Sequence, residues 1–99
     1  MAKVIWSPKS LDQVDAIAEY VANDSPAYAK QVVVRIIEAT RRLESFPEIG
    51  SVVPELGNTR IREIRVYSYR LLYRIVDAQV VRIVGVVHGR QLLDDGLVE

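Results

Sequence analysis

The chain has no cysteine, one histidine, one tryptophan and one methionine. Without thiols it forms neither a disulfide nor a thiolate metal site, and no cysteine nucleophile is available. A lone histidine cannot by itself build a histidine-based metal centre. No apolar run approaches the ~20 residues of a membrane span. Residues 1–6 carry one charge and too short an apolar run for a signal peptide. A glycine-rich phosphate loop, a Walker motif and a Gly-x-Ser-x-Gly elbow are also missing, as are repeats and low-complexity stretches. Most metal, thiol and nucleotide chemistry is disfavoured. No cofactor or membrane partner is expected, and a reducing cytoplasm suits such a chain.

What is present is a core and an uneven distribution of charge. Ninety-nine residues, 49% of them hydrophobic, suffice for one domain spanning 1–99. The net charge of zero conceals segregation: residues 1–59 sum to −2, residues 60–90 to +5 and the tail to −3. Seven of the ten arginines, and no lysine, fall between Arg60 and Arg90. The arginine fork suits bidentate contact with phosphate or carboxylate, so this stretch favours an anionic partner. A plain solvated face is the alternative.

Val4-Ile5-Trp6 reads as a strand. Ser7-Pro8 marks a helix start, and Leu11, Val14, Ile17, Ala18 and Val21 give it an apolar stripe. Asn23-Asp24 breaks the pattern, and Ser25-Pro26 repeats the start signal. The second helix carries Val32 or Val33, Ile36, Ile37, Leu43 and Phe46 and stops before Pro47. Residues 47–59, rich in proline and glycine, read as a loop. Three strands follow: Arg60 to Tyr67, Tyr69 to Val76 after a turn at Tyr67-Ser68, and Val80 to His88 after a tight turn at Asp77-Ala78. Residues 91–99 read as a loose tail or a short helix. The expected fold is α+β, with order β-α-α-β-β-β: a helical hairpin packed on one face of a largely antiparallel four-stranded sheet.

Strict alternation sorts the last two strands into two faces. Leu71, Tyr73, Ile75, Val81, Ile83 and Val87 would meet the helices. Arg70, Leu72, Arg74, Arg82, Val84, Val86 and His88 would form an open, basic and partly apolar face. Cleavage of RNA by its own 2′-hydroxyl needs only a base, an acid and cations for the phosphorane charge. On this reading Arg70, Arg82 and His88 are the candidate catalytic groups, with Tyr67 or Tyr69 nearby and Glu48 or Glu55 as possible bases from the loop.

Arg62-Glu63-Ile64, then Tyr69-Arg70-Leu71-Leu72-Tyr73-Arg74-Ile75, then Val86-Val87-His88-Gly89-Arg90 follow a Ser-Pro helix start and a helical hairpin. In that order and spacing, over residues 3–92, they resemble the RelE/ParE toxin superfamily. The resemblance implies the toxin of a bacterial type II toxin–antitoxin pair, neutralised by direct binding of its cognate antitoxin. Its ParE-like branch implies a poison of DNA gyrase that catalyses nothing itself. Its RelE-like branch implies a ribosome-dependent mRNA endonuclease. The lysine-free sheet, the eleven residues after His88 and the His-Gly-Arg ending favour the ParE-like branch. A binding module without toxicity is a third possibility. The expected partner-binding residues are Arg62, Arg65, Arg70, Leu72, Arg74, Arg82, Val84, Val86, His88 and Arg90. The arginines would meet acidic antitoxin side chains, and Leu72, Val84 and Val86 its hydrophobic anchors.

Overall fold

The computed structural model describes residues 1–94. Chain order is β1 (Lys3–Trp6), α1 (Pro8–Ala22), α2 (Pro26–Ser45), β2 (Ser51–Val52), β3 (Ile61–Val66), β4 (Tyr69–Asp77) and β5 (Val80–His88). Both helices begin as the sequence predicts. Ser7 Oγ accepts the Ser10 N–H and Ser25 Oγ accepts the Tyr28 N–H, each with proline in the first turn. These caps satisfy donors that no intrahelical carbonyl can reach. Neither helix is long and apolar enough to cross a membrane.

The sheet has five strands in the order β1-β5-β4-β3-β2, not the four expected. The extra strand is Ser51–Val52, antiparallel to β3, inside the stretch that reads as a loop. Two residues are too few for alternation to show. β1 pairs in parallel with β5 and the remaining pairs are antiparallel.

The hairpin buries a stripe made of Ala29, Val32, Ile36, Ala39, Thr40 and Leu43 from α2. Ile37 and Phe46, expected in that stripe, are exposed, Phe46 by 62%. At 100° per residue they turn away from the 29-32-36-43 line, and Phe46 already lies beyond the last helical residue. On α1, Val14 and Ile17 pack against the core, whereas Leu11 is half exposed. The sheet answers with Val66, Leu71, Tyr73, Val81, Ile83 and Val86.

Val86 on the helix side and Val87 opposite reverse the expected assignment. Leu72 pairs with Gly85 but Tyr73 pairs with Ile83, so Val84 is the extra residue of a β-bulge. One inserted residue shifts the parity of everything beyond it. Val86 and His88 therefore join Leu71 and Tyr69 on the helix side, and Val87 joins Arg70 on the other.

The second face is not open either. Val53, Ile61, Leu72, Val84, Val87 and Leu93 form a second buried cluster, with Leu56 packed against it. The loop after β2 and the segment after β5 lie across that face. Residues 91–94 form no helix and seat Leu93 at 6% exposure, so this part of the expected tail is not loose. The rest of the tail lies outside the described residues.

Two backbone positions are tightly specified. Gly50 donates its N–H to the Tyr73 hydroxyl at 2.9 Å. A Cβ there would sit 2.6 Å from the Glu63 carbonyl oxygen and 2.7 Å from the Tyr73 oxygen. Tyr67 opens the β3–β4 turn at φ 53°, a left-handed conformation that costs a non-glycine residue about 1–3 kcal/mol. Gly50→Ala is expected to lower stability by about 1–3 kcal/mol through overpacking, read as a shift in the urea unfolding midpoint.

Candidate functional site

The arginines of the sheet divide into spent and free. Arg70 on β4 is 3% exposed. Its Nη1 and Nη2 donate to both carboxylate oxygens of Glu55 at 2.7 and 2.9 Å, and Nε donates to Glu63 Oε2. Nη1 also donates to the Gln91 carbonyl at 3.1 Å, and Glu55 in turn accepts the Leu93 N–H at 3.3 Å. One guanidinium thus ties β4 to β3, to the loop after β2 and to the segment after β5. Glu63 reaches it because it stands opposite Leu72 in the register, one residue pair from Arg65–Arg70 along the same face. Bidentate contact with Arg70 holds the Glu55 carboxyl down at about 2, and the same pairing raises Arg70 further.

Other arginines serve the loop. Arg62 lies on the helix side, opposite Tyr73, and donates to the carbonyls of Thr59, Gly50 and Glu48. Arg60 donates to the Val76 carbonyl. What remains on the second face is a half-buried pair, Arg74 and Arg82, directly opposite each other on β4 and β5. Ile61 and Ile5 flank this pair in the same row of the sheet. Like charges placed opposite across strands repel, so an anion seated there would relieve a conflict built into the register. Arg65 is exposed on the same face, and Arg90 is exposed just past the sheet.

The predicted catalytic set is not assembled. Arg70 is saturated by protein acceptors. His88 lies across the sheet from Arg82, its ring edge-on to Tyr69 at 6.1 Å between centroids, with Nδ1 accepting the Arg90 N–H. Leu72 and Val84 are buried under the loop and Val86 under the helices, so none of these three offers an exposed anchor. Glu55, expected only as a possible base, is the partner of Arg70. Alternation alone could not find it, because its loop has no period.

Sequence reasoning also passed over an aromatic group at the turn end of the molecule. Tyr28 on α2 and Tyr67 meet edge to face at 5.5 Å, and the Arg35 guanidinium stands 5.9 Å from the Tyr67 ring centre. Burial, with Tyr28 and Tyr20 nearby, raises the pKa of the Tyr69 hydroxyl. Their spacing in the chain, scattered over both helices and a turn, carries no signal of the meeting.

A family model described as ParE toxin of type II toxin–antitoxin system, parDE, matches residues 4–93. The chain belongs to the ParE toxin family. Toxin RelE2 of Caulobacter vibrioides is 31% identical over 93 residues, covering 93% of this chain and all of that protein. Among solved structures, a chain of the chromosomal ParDE system from P. aeruginosa superposes with a TM-score of 0.70 at 22% identity, over 89% of this chain and 96% of that one. The likeness confirms the expected fold.

In this ParE-family chain the Arg70 node is a structural centre. Removing the cation would leave Glu55 and Glu63 facing each other with no counter-charge. Arg70→Ala is expected to cost roughly 3 kcal/mol or more in chemical unfolding, as for other broken buried pairs. Folding lowers the Glu55 pKa, so the unfolded chain binds more protons in acid. The contribution of Glu55 is complete above its ordinary value of 4.5 and is lost as pH falls toward about 2. Unfolding midpoints between pH 5 and 2 should therefore fall less steeply in Glu55→Gln than in the unaltered chain.

Proposed function

We propose that this toxin acts by binding DNA gyrase, and that a cognate antitoxin neutralises it by covering its surface. The observation that carries this reading is the consumption of Arg70. A ribosome-dependent nuclease needs free cations and a proton-transfer group around one phosphate. Here the most buried arginine of the face is saturated by two carboxylates and a carbonyl. The histidine stands on the opposite side of the sheet from Arg82. A set divided in this way supports a protein-binding toxin over an RNA-cleaving one.

The antitoxin contact follows from the same inventory. Arg74 and Arg82 have no ion pair among those of the described residues, where both salt bridges belong to Arg70. Acidic antitoxin side chains seated between them would form charge-assisted pairs and remove the mutual repulsion.

Supercoiling by purified gyrase is expected to be inhibited by the toxin, with cleaved DNA trapped and antitoxin restoring activity. Primer extension on translated mRNA should show no new ends. Ribosome-dependent cuts with intact supercoiling would replace this reading with the nuclease one. Alanine at Arg74 or Arg82 is expected to weaken antitoxin binding about tenfold, roughly 1.4 kcal/mol, with little change in stability. Unchanged affinity in both variants would remove the pair from the interface.

A further inference from the structure

Tyr67 occupies a backbone conformation that suits glycine and is not repaid by burial. Two-residue hairpin turns place their first residue at positive φ, which is why glycine, asparagine and aspartate dominate there. Here a tyrosine that is 45% exposed adopts φ 53°. Its ring instead rests against Tyr28 and beneath Arg35, both on α2. Strain of this kind persists where the surroundings hold it, and it concentrates at functional positions.

Beside that ring runs a groove lined by Ala27, Lys30, Gln31, Val34, Arg35 and Tyr67. Its lining contains two cations and no acid. Val34 and Tyr28, each about two-fifths exposed, add apolar surface on the outer side of α2. An exposed aromatic ring with aliphatic neighbours and flanking cations is the composition of a protein-binding hot spot. This groove stands on α2, on the helix side of the sheet, whereas Arg74 and Arg82 lie on the other side.

We infer that the Tyr67 groove is a second docking surface for the antitoxin, taking an acidic segment that carries an apolar side chain. The apolar side chain packs on the Tyr67 ring against Val34, and carboxylates pair with Lys30 and Arg35. Charge complementarity selects an acidic occupant. A nucleic-acid strand fits less well, because the groove offers only two cations on a chain whose net charge is zero. This inference rests on the antitoxin reading above but uses none of its residues.

The test is calorimetric binding of the toxin chain and its variants to the cognate antitoxin, with thermal melts of each toxin alone. Tyr67→Gly places at the turn the residue its backbone favours, so its melting temperature should be unchanged or higher. Its affinity should nonetheless fall at least about tenfold. Lys30→Glu and Arg35→Glu, on the exposed side of the helix, should melt normally and weaken binding to a similar degree. Affinities within about twofold of wild type in all three variants, with the wild-type complex formed, overturn the groove assignment alone. A wild-type toxin that does not bind the antitoxin overturns the antitoxin reading and this inference together. Binding of a single-stranded oligonucleotide that Tyr67→Gly abolishes, with antitoxin affinity unaltered, would reassign the groove to nucleic acid.

Discussion

The structure depends on a guanidinium taken out of water and given acceptors from three other parts of the chain. Burying an arginine is unfavourable by several kcal/mol unless its hydrogen bonds and charge are answered in place. Arg70 is answered by Glu63 on the neighbouring strand, Glu55 in the loop after β2 and Gln91 after β5. Around this node the loop and the terminal segment close over Leu72, Val84 and Val87. Burial of those side chains contributes roughly 1.5–3 kcal/mol each. The apolar contacts supply the larger stabilisation. The directional bonds to Arg70 decide which carboxylate and which carbonyl meet there.

The bulge at Val84 is the second constraint. By shifting the parity of the last residues of β5, it fits Val86 to the helices and Val87 to the second cluster. It also places His88 on the opposite side of the sheet from Arg74 and Arg82. A face that reads as a continuous basic surface becomes a filled apolar patch, a structural ion node and one row holding Arg74 and Arg82. Gln13 on α1 then accepts the Val86 N–H at 2.8 Å, answering a strand edge that β1 is too short to cover.

Two surfaces are left unspent by the packing. On one side of the sheet, two opposed guanidinium groups lie in a row with Ile5 and Ile61. On the helix side, a tyrosine turn and two cations line a shallow groove. Neither holds a paired acid and base, and both have the mixed apolar and cationic composition of a protein interface. A partner long enough to reach both would enclose the molecule, whose shortest dimension is 21 Å.

By itself the sequence determined the elements whose signals are local. Ser7-Pro8 and Ser25-Pro26 announce both helices, because caps and first-turn prolines act within four residues. The alternation of Tyr69–Val76 declares a strand, and the order of the arginine motifs declares the family. What only the tertiary structure decided are the pairings between distant residues. Ser51–Val52 is a strand because β3 lies beside it, and two residues carry no period of their own. Val84 is bulged only in its pairing with β4, where Leu72 meets Gly85 and Tyr73 meets Ile83, and a single inserted residue leaves the local composition unchanged. Whether Arg70 is a site or a tie depends on a loop folding back from fifteen residues earlier to present Glu55. A charge becomes structural or functional according to what is brought beside it, and periodicity along one strand records nothing of that approach.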